Sequence, residues 1–110
     1  MLERLGPEAF EGNRLRRDGT WALAFLADWC PYCRAFVPDF EALQGSGPFE
    51  VAIADLTDEE SPLWEQFRVE VVPTLVAFRS GQAIFRRDGI LGQGLSTADL
   101  TALRGALRTG

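Results

Sequence analysis

The segment TWALAFLA, residues 20 to 27, constrains this chain more than any other stretch. It is a nearly continuous apolar run of strand length, entered from the turn signal Asp18-Gly19. A strand with one face in water alternates apolar and polar residues. A run without that alternation predicts a strand buried on both faces of a sheet. FEVAIADL, residues 49 to 56, repeats the pattern. Such a sheet needs cover on both sides, and the rest of the chain offers helices. Phe36, Phe40 and Leu43 recur at helical spacing with Val37 beside them, which predicts a helix from Pro31 to about Leu43, kinked at Pro38. Ser61-Pro62 reads as the N-cap and first residue of a short helix whose Leu63, Trp64 and Phe67 point inward. TLVAFRS (74–80) and QAIFRRD (82–88), joined at Ser80-Gly81, predict an antiparallel hairpin. Ser96 caps a closing helix with Leu100, Leu103 and Leu107 on one face. Pro7 to Arg17 reads as a short first helix, with Pro7 in its opening turn.

The resulting order, α, β, α, β, α, β, β, α, predicts the α/β class: a mixed central β-sheet flanked by helices on both faces. With 110 residues and no repeat or linker, residues 1–110 read as a single domain. A chain this long buries roughly two-thirds of its unfolded surface, so it needs neither disulfide staples nor a structural metal.

Charge and absences narrow the chemistry. The formal net charge of −5 argues against nucleic acid or an acidic membrane surface as partner. The charge is uneven: residues 50 to 70 hold seven carboxylates against Arg68 alone, which reads as a solvated face or, less simply, a docking surface. MLERLGPEAF has charges at Glu3 and Arg4 and no apolar run of signal-peptide length, and no stretch approaches 18 uninterrupted apolar residues. Neither export nor membrane spanning is expected, and the cytoplasm is the expected compartment. The chain has no histidine, which removes Cys–His and Ser–His pairs, and no lysine, which removes Schiff-base chemistry.

Both cysteines fall in WCPYC, as Cys30 and Cys33, where the first strong strand gives way to its helix. A C-x-x-C at that junction is a redox signature. A helix begins with unpaired N–H groups and a partial positive charge, which favours an anionic sulfur at its cap. Cys33, one turn on and on the same side, can reach the Cys30 sulfur after Cys30 has joined a substrate in a mixed disulfide. Position therefore makes Cys30 the nucleophile and Cys33 the resolving thiol. The same spacing could supply half of a zinc site, but four ligands are required and no third cysteine or histidine exists to help within one chain. Two chains together could complete such a site or hold an iron–sulfur cluster between them, and both are minor readings beside redox chemistry. A purely structural disulfide would close too short a loop to stabilise much.

WCPYC followed by Pro38, VVPT at 71–74 and LGQGLSTADL at 91–100, in that order, resembles the thioredoxin family over about Leu5 to Leu107. The resemblance implies the thioredoxin fold and a thiol–disulfide oxidoreductase that reduces protein disulfides. It further implies a cis bond at Val72-Pro73 beside the thiols, with the backbone there pairing with an extended substrate segment. Trp29, Pro31, Tyr32, Val72, Pro73 and Gly92 then shape the substrate site, with Gln93 next to Gly92 in its loop. No bound cofactor or metal is implied. Electrons come from a thioredoxin-reductase-like partner, and the protein is expected to act as a monomer.

Departures accompany the likeness. The buried aspartate that family members carry six residues before the first cysteine is here Ala24, and the accompanying lysine position falls near Val51. Water, loop backbone or a carboxylate such as Asp28 is then expected to relay the Cys33 proton. Pro31-Tyr32 is typical of glutaredoxins, yet their acidic, glycine-rich glutathione pair has no counterpart near Gly92-Gln93-Gly94, and Trp29 is the thioredoxin form. The N-terminus leaves little room for the family's first strand. A glutathione-linked oxidoreductase and a non-catalytic binding or chaperone module remain the alternatives.

Overall fold

The computed structural model describes residues 2–108. Its elements are β1 (Glu3–Leu5), β2 (Phe10–Glu11), β3 (Arg14–Leu15), β4 (Thr20–Leu26), α1 (Pro31–Glu41), β5 (Glu50–Asp55), α2 (Leu63–Gln66), β6 (Thr74–Arg79), β7 (Gln82–Arg87) and α3 (Thr97–Arg108). Five strands form one sheet in the order β1-β5-β4-β6-β7. β1 and β4 run parallel to β5, while β6 and β7 complete the sheet antiparallel, so the sheet is mixed.

The central strand is the apolar run. Ala22 through Leu26 are all buried, and successive strand residues point to opposite faces, so both faces are covered. α3 lies over β6 and β7 with Leu100, Leu103 and Leu107 buried. α1 contributes Cys33, Phe36 and Phe40 to the core, and it continues through Pro38. Phe10, Phe25, Phe67 and Phe78 form a ring cluster with centroids 4.8–6.3 Å apart. Within the β6–β7 hairpin the register shifts between Ala77 and Phe78, a bulge that bends the edge strand.

The N-terminal expectation fails. Pro7 to Arg17 is not a helix but a single 3-10 turn, Pro7–Ala9, followed by the small β2–β3 hairpin. Phe10 and Leu15, the apolar pair that suggested a helical face, are instead cross-strand partners. Gly12 sits between them at φ +59, a conformation that turns the chain back. The family's first strand is also present: Glu3, Arg4 and Leu5 pair with Ala52, Ile53 and Ala54. Smaller shifts occur at two helix starts. Pro62 rather than Ser61 is the cap residue of α2, although the Ser61 hydroxyl accepts from the Leu63 N–H at 3.3 Å. At α3, Ser96 precedes the first turn and its N–H donates to the Asp99 carboxylate at 2.8 Å, the reciprocal half of a capping box.

Candidate active site

β4 delivers the chain to the site, and the loop after it is tightly tied. The Cys30 N–H donates to the Ala27 carbonyl, the Asp28 N–H to the Thr57 hydroxyl, and the Arg34 guanidinium to the Asp28 carbonyl at 2.8 Å. Cys30 is the N-cap of α1, extended at φ −91 and ψ 118, and Pro31 follows in the first turn, where its missing N–H removes nothing the helix uses. The Cys30 sulfur accepts from the Cys33 N–H at 3.3 Å, an orphan donor of that turn. Its own thiol points at the Val72 carbonyl, 3.6 Å away. Both thiols are free; Cys33 is 1% exposed and Cys30 6% exposed, so Cys30 is the less enclosed of the two.

The enclosure acts on Cys33. Burial pushes its thiol from the ordinary 9.0 up to about 12, the neighbouring Cys30 adds to the rise, and the Ala27 backbone and the Arg34 charge oppose it. No acid is built into the sheet beneath it. Ala24 is fully buried on β4, between Ile53 of β5 and Leu75 of β6. The β5 residue beside Ala24 is Ile53, two positions on from Val51, near which the sequence placed the family's lysine; both are apolar. Asp28 faces outward and is held by Arg4 at 2.6 Å. Arg4 also reaches Asp55 at 3.1 Å. Burial raises the Asp55 carboxyl, but hydrogen bonds from Thr57 and the Arg4 charge outweigh it and leave the group below the usual carboxylate range. Asp55 is therefore not poised to take a proton at neutral pH.

Three segments meet around the sulfurs. The Val72-Pro73 bond is cis, and the Val72 N–H makes no hydrogen bond among the described residues. Gly89, just past β7, packs on the Pro73 carbonyl so closely that a Cβ there would overlap the oxygen. The loop Ile90–Gly94 is closed by a two-way bond between its end residues. Tyr32, on the first turn of α1, donates its hydroxyl to the Gly92 carbonyl at 3.0 Å and rests its ring against Gly94. Trp29 is 48% exposed, its indole N–H donating to the Thr57 carbonyl at 2.9 Å. The structure thus brings the sequence-derived residues to one end of the sheet. It adds a neighbour that sequence reasoning placed in the core: Trp64 of α2 is only partly buried and stacks on Trp29, centroids 6.3 Å apart and planes within 11°. An aromatic on a short helix gave the only signal, and pairing it with Trp29 required the fold.

A family model described as Thioredoxin matches residues 2–99. The chain belongs to the thioredoxin family. It is 30% identical over 91 residues to a thioredoxin of Rhodospirillum rubrum, covering 82% of this chain and 88% of that one. It is 39% identical over 74 residues to a thioredoxin of Chlamydia muridarum, covering 66% and 72%. Among solved structures, thioredoxin f2 of Chlamydomonas reinhardtii superposes with a TM-score of 0.79 at 19% identity, covering 98% of this chain and 97% of that one. That likeness concerns the fold. Family membership with a C-x-x-C pair makes the chain a thiol–disulfide oxidoreductase, active as a protein-disulfide reductase. Thioredoxins work through redox-active cysteines without a bound cofactor, and no group of metal-ligating side chains occurs among the described residues. No described helix is long and apolar enough to cross a membrane.

Proposed function

We propose that residues 1–110 act as one domain that reduces protein disulfides through a Cys30/Cys33 cycle. The observation that carries the assignment is the Cys30 sulfur at the helix cap, taking the Cys33 N–H while facing Val72. The Cys30 thiolate attacks one sulfur of a substrate disulfide, forming a mixed disulfide and expelling the first substrate thiolate, which takes up a proton. Cys33 then loses its proton and attacks the Cys30 sulfur. The Cys30–Cys33 disulfide forms and the second substrate thiol leaves, so two electrons have passed to the substrate. A partner reductase returns them; nothing else need be bound.

The unpaired Val72 N–H supports docking of the substrate as an extended segment at this point, a short strand addition. Trp29, Pro31, Tyr32, Val72, Pro73 and Gly92 line that seat. The protein acts as a monomer in a reducing, cytoplasmic compartment. The test is trapping: Cys33→Ser leaves protein substrates covalently held on Cys30 and releasable by a small thiol, whereas Cys30→Ser holds none. Equal trapping by both variants would reverse or remove the assigned roles. A strongly reducing potential for the pair is expected alongside, and an oxidising one would point to disulfide formation instead.

A further inference from the structure

Within the acidic block of residues 50 to 70, the part on and around α2 is joined to the site, because α2 carries Trp64 onto Trp29, the residue next to Cys30. The two stacked indoles extend an aromatic platform from the residue next to Cys30 to the edge of a hollow of about 490 Å³, lined by Trp64, Glu65, Arg68, Val69 and Glu70. Trp64 is fixed there by its indole N–H, which donates to the Asp58 carbonyl at 3.2 Å. Asp58, Glu59, Glu60, Glu65 and Glu70 are all exposed, and none takes part in an ion pair among the described residues. Elsewhere the carboxylates of Glu3, Asp28, Asp55, Asp88 and Asp99 are matched by arginines. Glu8, Glu11, Asp18, Asp39, Glu41 and Glu50 are also without an ion pair among the described residues, but they are spread along the chain, whereas Asp58, Glu59, Glu60, Glu65 and Glu70 gather on and around α2. Arg68 offsets one of these charges, and its carbonyl is engaged by Arg86.

We propose that this hollow receives a lysine or arginine flanking the disulfide cysteine of the partner protein, so that the substrates are disulfides set in basic segments. The inference rests on the site assignment above and names its substrate class. Reach is adequate: Glu70 lies two residues before Val72, at most about 7 Å of chain, and a substrate residue two positions from the attacked cysteine travels a similar distance along an extended strand. A flat guanidinium or an ammonium on an aliphatic stem suits the indole face, with the carboxylates at its end. An acidic flanking residue meets like charge instead.

The experiment uses the reduced full chain and three synthetic peptides, each with the same intramolecular disulfide and either arginine, glutamine or glutamate at the flanking positions. Second-order rate constants for peptide reduction are measured by stopped flow at low and high salt. The arginine peptide is expected to react about tenfold faster than the glutamine peptide at low salt, and the glutamate peptide slowest. Added salt compresses the series. In Glu65→Gln/Glu70→Gln, exposed positions whose change leaves the core alone, the arginine-to-glutamine ratio falls toward one. Equal rate constants for all three peptides, or a ratio untouched by the double substitution, overturn the inference while leaving the reductase in place. Failure to reduce even the glutamine peptide overturns the site assignment and this inference with it.

Discussion

Release of the captured substrate by Cys33 is the step most exposed to the missing acid, and its pH dependence can be worked out. Burial, the largest influence, lifts this thiol to about 12. Part of the rise comes from Cys30, whose contribution disappears once Cys30 is locked in a mixed disulfide, but the burial persists. With about 12 as the upper end, ionised Cys33 thiols at pH 7 fall to as little as about 10⁻⁵ of the total, a population up to about a thousandfold below that of a thiol at 9.0. A more basic thiolate is also a better nucleophile, by roughly 20- to 30-fold over three units, which returns some of the rate. The net expectation is release slower at pH 7 than for an ordinary thiol in the same geometry, by up to about 30- to 50-fold. Because ionisation is far from complete, the rate should climb nearly tenfold per pH unit from 6 to 9 with no plateau. The assay forms the mixed disulfide of Cys30 with a chromogenic thiol and follows that thiol's release by stopped flow, with Cys33→Ser as the silent control. Ala24→Asp supplies the missing group in a fully buried position, where desolvation raises the carboxyl toward neutrality and makes it a usable base. It should speed release at pH 7 and introduce a plateau. A wild-type profile that levels off below pH 8, or an Ala24→Asp profile that matches it, would refute the reasoning.

The same thiol makes the reduced fold sensitive to alkali. Above pH 9 the unfolded thiol ionises while the folded one keeps its proton, so the unfolded state binds fewer protons and stability falls as pH rises, by about 1.4 kcal/mol per unit at most until the folded value is reached. Urea unfolding of Cys30→Ser at pH 8 and pH 10 should show that loss, and Cys30→Ser/Cys33→Ser should not. Gly89→Ala forces a Cβ into the Pro73 carbonyl and should lower stability by about 1–3 kcal/mol in the same assay; an unchanged urea midpoint would mean the backbones part freely. Tyr32→Phe removes the bond to Gly92, worth about 0.5–1.5 kcal/mol locally. Faster amide exchange confined to Ile90–Gly94 is expected, and unchanged exchange there would show that the hydroxyl holds nothing.

Much of this architecture is written in local patterns. TWALAFLA and FEVAIADL fall on β4 and β5 because unbroken apolar runs have no other stable home than the middle of a covered sheet. WCPYC falls on a strand-to-helix junction because proline suits a first helical turn and a thiol suits a cap. The N-terminal segment resisted for a physical reason. A three-residue strand carries no periodicity of its own, and β1 exists because Ala52–Ala54, some fifty residues away, offer it a partner. Phe10 and Leu15 could be read on a helix or a hairpin until Gly12 took a left-handed turn. In the site, the cysteine pair was legible from spacing, and the segment around Pro73 from the resemblance to the thioredoxin family. The stacking of Trp64 on Trp29 and the hold of Tyr32 on Gly92 were not, since both join elements that only the sheet brings together.

The two rims of the sheet bear on how this protein avoids its own kind. β1 is three residues long and carries Glu3 and Arg4, while β7 carries Arg86 and Arg87 beside a bulge. Short length, charge and local twist are the devices that keep open strands from zipping onto copies of themselves. On the docking proposed at Val72, a client offers an extended segment with unpaired main-chain groups, the kind of segment that an open sheet edge would also bind. With both margins blunted, such a segment finds little to pair with at the rims and is left to the proposed seat beside Cys30.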